Sequence, residues 1–164
     1  MHFHFHLTTK ELPILIKLID ARSKLSMQIH FDDDYARQNE KGQPGKTEMR
    51  YVLDADRDAQ LLYGLYQDTD KETLYRSILD GTVERYLQKV RSRKGEVYYV
   101  EAGMIHAIGA GALIAEIQEN SDLTYRMYDY GRVDKEGKRR KLHIQKALEA
   151  ENLKGSSRPV QPMR

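Results

Sequence analysis

Leu25-Ser26-Met27-Gln28-Ile29-His30 alternates apolar and polar residues at a strict period of two. That is the spacing of a β-strand, whose successive side chains point to opposite faces. Ser26, Gln28 and His30 share one side, and Leu25, Met27 and Ile29 share the other. Lys46, Glu48 and Arg50 alternate in the same way against Thr47, Met49 and Tyr51. A third segment, Glu101-Ala102-Gly103-Met104-Ile105-His106, brings His106 in after a glycine-punctuated turn. A half-buried strand turns its apolar side to a core and usually leaves generic polar residues to water. Here the polar sides carry imidazole, carboxylate and amide groups, all of them metal-ligand types. The pattern predicts a barrel of strands with a polar interior that holds a metal.

The flanking segments supply the remaining strands. Residues 13–20 form a short apolar run around Lys17 and read as a buried strand. Further strands are predicted over 47–55, 60–66, 96–100, 112–118 and 123–129. Asp32, Asp33 and Asp34 open a short helix, where acidic side chains suit the helix dipole, so capping explains them better than metal ligation. Gly42-Gln43-Pro44-Gly45 is a loop. Leu74, Ile78, Val83 and Leu87 recur at helical spacing and predict two short helices within 71–89, covering one end of the barrel. A last helix is expected over 143–151. Many short strands with turn signals between them point to an all-β antiparallel barrel or jelly roll with short inserted helices.

Composition bounds the rest. At 164 residues, the chain has the size of a single domain with a substantial core. Its net charge of +2 is too small to imply nucleic acid. The densest basic run, Lys138-Arg139-Arg140-Lys141, sits beside Asp134 and Glu136 and reads as a solvated turn. No cysteine is present, which excludes disulfides and thiolate metal sites and suits a reducing cytoplasm. No apolar run approaches the ~20 residues of a membrane span, so no membrane partner is expected. Met1-His2-Phe3-His4-Phe5-His6 reads as a terminal segment over 1–9, either a purification tag or an edge strand. The domain is expected over 10–153, and 154–164 as a disordered tail.

His30 and His106 offer nitrogens, Glu48 a carboxylate and Gln28 a neutral oxygen. Zinc accepts such a set, and so would Fe(II), Mn(II) or Co(II). Gly95-Glu96-Val97-Tyr98-Tyr99-Val100-Glu101-Ala102-Gly103-Met104-Ile105-His106 resembles the second cupin motif, a glycine, five residues, then Pro-x-Gly-x-x-His. With Leu25 to His30, Gly45-Lys46-Thr47-Glu48, His106-Ala107-Ile108-Gly109 and the stretch from Gln118 to Asp129, the chain resembles class I mannose-6-phosphate isomerase in its short bacterial form. The resemblance runs from about Leu12 to Leu153.

That resemblance implies a cupin-type barrel and a zinc-dependent aldose–ketose isomerase, interconverting mannose 6-phosphate and fructose 6-phosphate through a cis-enediol. It places the metal ligands on Gln28, His30, Glu48 and His106, and the catalytic arginine on Arg126. Lys46 and Glu116 match further active-site positions, and Arg132 a second cationic one. Strand alternation separately sets Thr124, Arg126 and Tyr128 on one face. In this scheme Arg126 stabilises developing charge, Glu116 shuttles the proton or orients a ligand, Lys46 and Arg132 meet the phosphate, and Ser26 adds a hydrogen bond.

The chain departs from the pattern at several positions. Phe31 and Glu101 stand where prolines are usual, as do Arg57 and Arg91, and Arg50 stands where a tryptophan is usual. Arg50 should enter the interior beside Glu48, to pair with it or to meet a substrate phosphate, or to meet water if the barrel is open there. The family's first strands and second domain are not in this sequence, and a barrel short of strands exposes edges that invite a homodimer. Together these features point to an engineered fragment. The alternative to an isomerase is a metal-binding cupin scaffold without turnover.

Overall fold

The computed structural model describes residues 12–155 and 162–163. The expected His-Phe segment and most of the expected tail therefore lie outside the described residues. Within them the elements run β1 (Ile14–Ala21), β2 (Met27–Ile29), α1 (Asp33–Asn39), β3 (Glu48–Ala55), β4 (Gln60–Leu65), α2 (Lys71–Leu79) and a 3-10 turn (Val83–Tyr86). They continue with β5 (Leu87–Arg91), β6 (Val97–Val100), β7 (His106–Ile108), β8 (Ala112–Glu119), β9 (Tyr125–Tyr128) and α3 (Ile144–Ala150). Two antiparallel sheets face each other, one ordered β1-β8-β3-β6 and the other β5-β4-β7-β2-β9. This is the mainly-β, cupin-like architecture expected.

Register explains the layering. On the inner face of the first sheet, Lys17, Glu116, Arg50 and Tyr98 stand in one cross-strand row, with Gln118 and Glu48 in the next row along. Two residues the other way, Ile114 pairs with Val52, and the interior turns apolar. There Val52, Leu61, Tyr98, Ile108 and Ile114 form the core at one end of the barrel. The opposite sheet contributes Gln28, which pairs with both His106 and Arg126. The interior thus grades from a packed apolar floor to a polar end.

A second core lies on the outer side of the five-stranded sheet. Met27, Ile29, Leu62, Ala107 and Met127 pack there against Leu74, Ile78, Val83 and Leu148. The inserted helices therefore cover a sheet face rather than the barrel end expected of them, and the residues that share the strands with Gln28, His106 and Arg126 are fixed by this packing. Asp32 caps α1 by accepting from the Tyr35 amide, as the acidic first turn predicts.

Three expectations need correction. The helical reading of 71–89 ends too late, because Leu87–Arg91 is a strand that pairs with β4. Its short Leu-Gln-Lys-Val-Arg sequence continues the helical spacing of α2 and hides the change of element. His106 also belongs to a strand of its own, β7. Finally, among the described residues β1 lies at the edge of its sheet rather than buried. Ile16 and Leu18 are 61% and 74% exposed, on the outer face, while Lys17 points inward. An apolar run is buried on both faces only when something covers both. Among the described residues nothing covers this one.

At Lys154 and Gly155, inside the expected tail, the ammonium and the amide both reach Asp68, and Met163 bridges to Val97 at the edge of β6. Among the described residues, no helix is long and apolar enough to cross a membrane.

Gly109 is where the close approach of strands demands a glycine. A Cβ there would stand 2.2 Å from the Gln60 carbonyl oxygen, which already accepts from the Gly109 amide at 2.9 Å. The obstacle is backbone and cannot rotate away. Gly109→Ala is expected to destabilise by about 2 kcal/mol and to lower the melting temperature by roughly 4–8 °C. Differential scanning calorimetry checks it, and an unchanged transition would mean that β4 and β7 are not held this closely.

Candidate metal centre

The polar end of the barrel gathers side chains from separate strands. Glu48 opens β3, His106 opens β7, and His30 directly follows β2. All three are buried, and their potential ligand atoms lie within 4.8 Å of one another. His30 Nε2 stands 3.2 Å from one Glu48 oxygen and His106 Nε2 stands 3.5 Å from the other. The two imidazole centroids are 4.8 Å apart. Gln28 stands beside them, its amide nitrogen 3.3 Å from His106 Nε2. A half-turn of that amide would present its oxygen instead.

The local sequence holds each ring in place. Gly103, with φ of +83°, turns the chain before β7, and its amide donates to the His30 carbonyl at 2.8 Å. His106 Nδ1 lies 2.8 Å from the Met104 carbonyl. A carbonyl only accepts, so Nδ1 carries the proton and Nε2 keeps its lone pair toward Glu48. Burial pushes the His106 imidazole well below its usual value and lowers His30 as well, so both are neutral at pH 7. Burial alone would raise the Glu48 carboxyl, but Arg50 and the His30 ring beside it hold it well below the usual carboxylate range.

The residues fit a divalent cation on a specific observation. Both ring nitrogens of His30 are buried without a hydrogen-bond partner, and the Glu48 oxygens, though ion-paired to Arg50 and Lys46, accept no well-directed hydrogen bond. Buried polar atoms are normally paired, because an unmade bond costs about 1–3 kcal/mol. Two neutral imidazoles, a carboxylate and an adjacent amide form a donor set that a borderline metal accepts.

Cations surround this group. Arg50, fully enclosed, places Nη2 at 2.5 Å from Glu48 and at 3.1 Å from Glu116. Lys46 Nζ lies 3.2 Å from Glu48, and burial lowers its pKa against the raising effect of Glu48. Beside the centre is a cavity of about 250 Å³, whose lining includes Ser26, Gln28, Lys46, Arg50, Glu116 and Arg126. Arg126 donates to the Ser26 hydroxyl at 3.3 Å and to the Lys141 carbonyl at 3.2 Å.

Most of the expected site residues therefore meet in one place. Arg132 does not. It turns to the Asp129 carboxylate and donates to the Lys24 carbonyl at 2.6 Å, lining a neighbouring cleft. Arg140 stands nearer: it lines the cavity while its Nε donates to Asp129 at 2.8 Å. It comes from the basic run, whose other members are solvated as expected. Lys17 is the residue sequence reasoning passed over. It lines the same cavity and donates to Gln118 at 2.7 Å, with Glu116 4.0 Å away. A lone cation inside an apolar run, at the inward register, was the available signal.

A second buried carboxyl stands apart from the centre. Glu151 ends α3, and both its oxygens are buried without a partner beside a cavity of about 260 Å³ lined by Tyr63 and Met104. Burial pushes its pKa up to about 8 against a weak lowering by Lys71. Between the ordinary carboxylate value and about 8, the folded chain keeps a proton that the unfolded chain has released. Stability therefore falls as pH rises through this window, by up to about 1.4 kcal/mol per pH unit, and is fullest below it. Glu151→Gln is expected to remove that slope, gaining on the order of 3 kcal/mol over the parent at pH 8.5 and nothing at pH 4.5. Urea denaturation at both pH values tests this, and equal gains would mean that Glu151 does not titrate there.

No protein-family model matches the chain. Curated relatives do. The mannose-6-phosphate isomerase ManA of Bacillus subtilis is 44% identical over 148 residues, covering 90% of this chain and 47% of that protein. The mannose-6-phosphate isomerase of Streptococcus mutans is 42% identical over 137 residues, covering 84% of this chain and 43% of that protein. The crystal structure of the Bacillus subtilis mannose 6-phosphate isomerase superposes with a TM-score of 0.82 at 40% identity, over 89% of this chain and 46% of that one. A phosphomannose isomerase variant from Salmonella typhimurium, at 13% identity, shares the fold with a TM-score of 0.68, over 91% of this chain and 56% of that one. The chain spans about half the length of the curated relatives it matches. By sequence and by fold, it is a homologue of the mannose-6-phosphate isomerases across that half of their length.

Proposed function

We infer that this chain carries the catalytic site of a divalent-metal-dependent aldose–ketose isomerase, acting on mannose 6-phosphate and fructose 6-phosphate. The observation that carries the reading is the buried cluster of His30, Glu48 and His106, in which the His30 nitrogens have no hydrogen-bond partner, with a cation-lined cavity opening alongside. His30, Glu48, His106 and Gln28 would hold the metal, with zinc as the proposed identity. The bound metal would supply Lewis-acid stabilisation for charge on the sugar oxygens.

The chain's own residues supply the rest. Isomerisation removes a proton alpha to a carbonyl and returns it to the neighbouring carbon, through a cis-enediol with negative charge on oxygen. Arg126 offers its guanidinium to that charge, and Ser26 fixes its direction. Lys46 reaches the same cavity and meets the phosphate dianion, with Arg140 at the mouth. Arg132 orders the neighbouring turn by holding Asp129. Glu116 carries the mobile proton, if a sugar carbon comes within its reach. A cytoplasmic location accords with a phosphorylated sugar substrate and a chain without cysteine.

The test is conversion of mannose 6-phosphate by metal-loaded protein, followed by a coupled assay for fructose 6-phosphate. Turnover that disappears with Arg126→Ala supports the reading. Stoichiometric metal without turnover would instead leave a metal-binding scaffold.

A second copy of the chain is the proposed occupant of the first sheet's outer surface. Ile16, Ile117, Met49 and Tyr99 form one apolar row there, Leu18, Ala115, Tyr51 and Val97 the next, and β1 has no outer neighbour among the described residues. Size-exclusion chromatography with light scattering should show a dimer at micromolar concentration, converted to monomer by Ile16→Lys/Leu18→Lys. A parent chain that is only monomeric would exclude it.

A further inference from the structure

Arg50 is among the largest fully buried side chains in the molecule, and a buried guanidinium normally has a dedicated counter-ion. This one is divided. Its Nη2 lies 2.5 Å from Glu48 and 3.1 Å from Glu116, and its Nε donates to Glu116 at 3.2 Å. The row Lys17–Glu116–Arg50–Tyr98 fixes the geometry, since each member is the register partner of the next across β1, β8, β3 and β6. The contact to Glu48 falls on Oε1, the oxygen that also faces His106 Nε2 at 3.5 Å. A metal bound between His30, Glu48 and His106 needs that carboxylate, so the arginine and the metal draw on one group.

We propose that Arg50 is an internal competitor for Glu48 that sets the divalent-metal affinity, and that Glu116 is the anchor which decides how much of the guanidinium Glu48 receives. The proposal rests on the reading of this pocket as a metal site. Two effects act together. The guanidinium occupies a ligand oxygen directly, and its charge repels an incoming dication at short range in a poorly screened interior. Tyr98 closes the far end of the row, with its hydroxyl donating to the Glu96 carboxylate at 2.8 Å. Arg50 is then a positioning residue, acting through Glu48 rather than on substrate.

The experiment is equilibrium titration of the full chain with Co²⁺, read by the ligand-field absorption of the bound ion and by competition with a chromophoric chelator. Arg50→Gln frees Glu48 and should tighten binding about tenfold or more. The decisive variant is Arg50→Gln/Glu116→Gln, which removes one positive and one negative charge and leaves no buried carboxylate unpaired at Glu116. A site governed only by net charge predicts unchanged affinity for it. Competition for Glu48 predicts tighter binding, again about tenfold. Because its net charge is conserved, this double variant also decides the matter should Arg50→Gln alone not fold. Affinity equal to or weaker than the parent in the double variant overturns the proposal. Absence of any Co²⁺ absorption in the parent and both variants would instead remove the metal-site reading itself.

Discussion

A His30→Ala/His106→Ala variant is expected to lose divalent-metal binding while keeping most of its stability in the presence of a chelator. Both rings are fully buried, and both present nitrogens toward Glu48. If a site of four protein ligands is worth about 10–16 kcal/mol, each ligand carries roughly 3 kcal/mol. Loss of two then weakens binding by about ten-thousand-fold. The metal-free fold should suffer less than ordinary core truncation would suggest, because the His30 nitrogens have no hydrogen-bond partner to forfeit. Competition titration and urea denaturation of the same samples separate the two effects. Metal affinity within tenfold of the parent would mean that these imidazoles are structural.

The opposite balance is expected at Glu48. Its carboxylate is the shared counter-ion of Arg50, at 2.5 Å, and Lys46, at 3.2 Å, and all three are buried. Glu48→Gln keeps the shape and removes the charge. Taking one partner from a buried ion pair typically costs about 3–5 kcal/mol, and the surviving Arg50–Glu116 contact places this case near 3 kcal/mol. The loss should appear in urea denaturation with a chelator present, where no metal contributes. Metal binding should vanish as well. Glu48→Gln as stable as the parent would show that Glu116 alone compensates both cations. Together the two variants distinguish the imidazoles, present chiefly for a metal, from a carboxylate that also holds the interior together.

The part of this architecture that was legible in the sequence is the part governed by strand alternation. Ser26, Gln28 and His30 on one side, and Lys46, Glu48 and Arg50 on the other sheet, were set inward by period two alone, and register later brought Gln28 opposite His106 and Arg50 opposite Glu116. The pairing of Arg50 with Glu48 followed from the same alternation. What alternation cannot say is what covers a second face. The apolar run around Lys17 looks the same on an edge as in a sheet centre, so both the exposure of Leu18 and the inward role of Lys17 escaped notice. Arg132 and Arg140 lie on irregular chain, where no period predicts direction. Asp129 holds both, and of the two only Arg140 lines the cavity. The conversion of Leu87–Arg91 from helix to strand is a tertiary effect, since its pairing with β4 outweighs a local spacing that favours neither form strongly.

The central claim is that His30, Glu48 and His106, with Gln28, hold a catalytic metal. It is tested most directly by elemental analysis of purified chain, with mannose 6-phosphate conversion measured on the same preparation. The account predicts close to one divalent metal ion per chain, turnover that scales with metal content, and loss of both on chelation. Protein that stays metal-free after incubation with excess zinc, manganese or cobalt would contradict it.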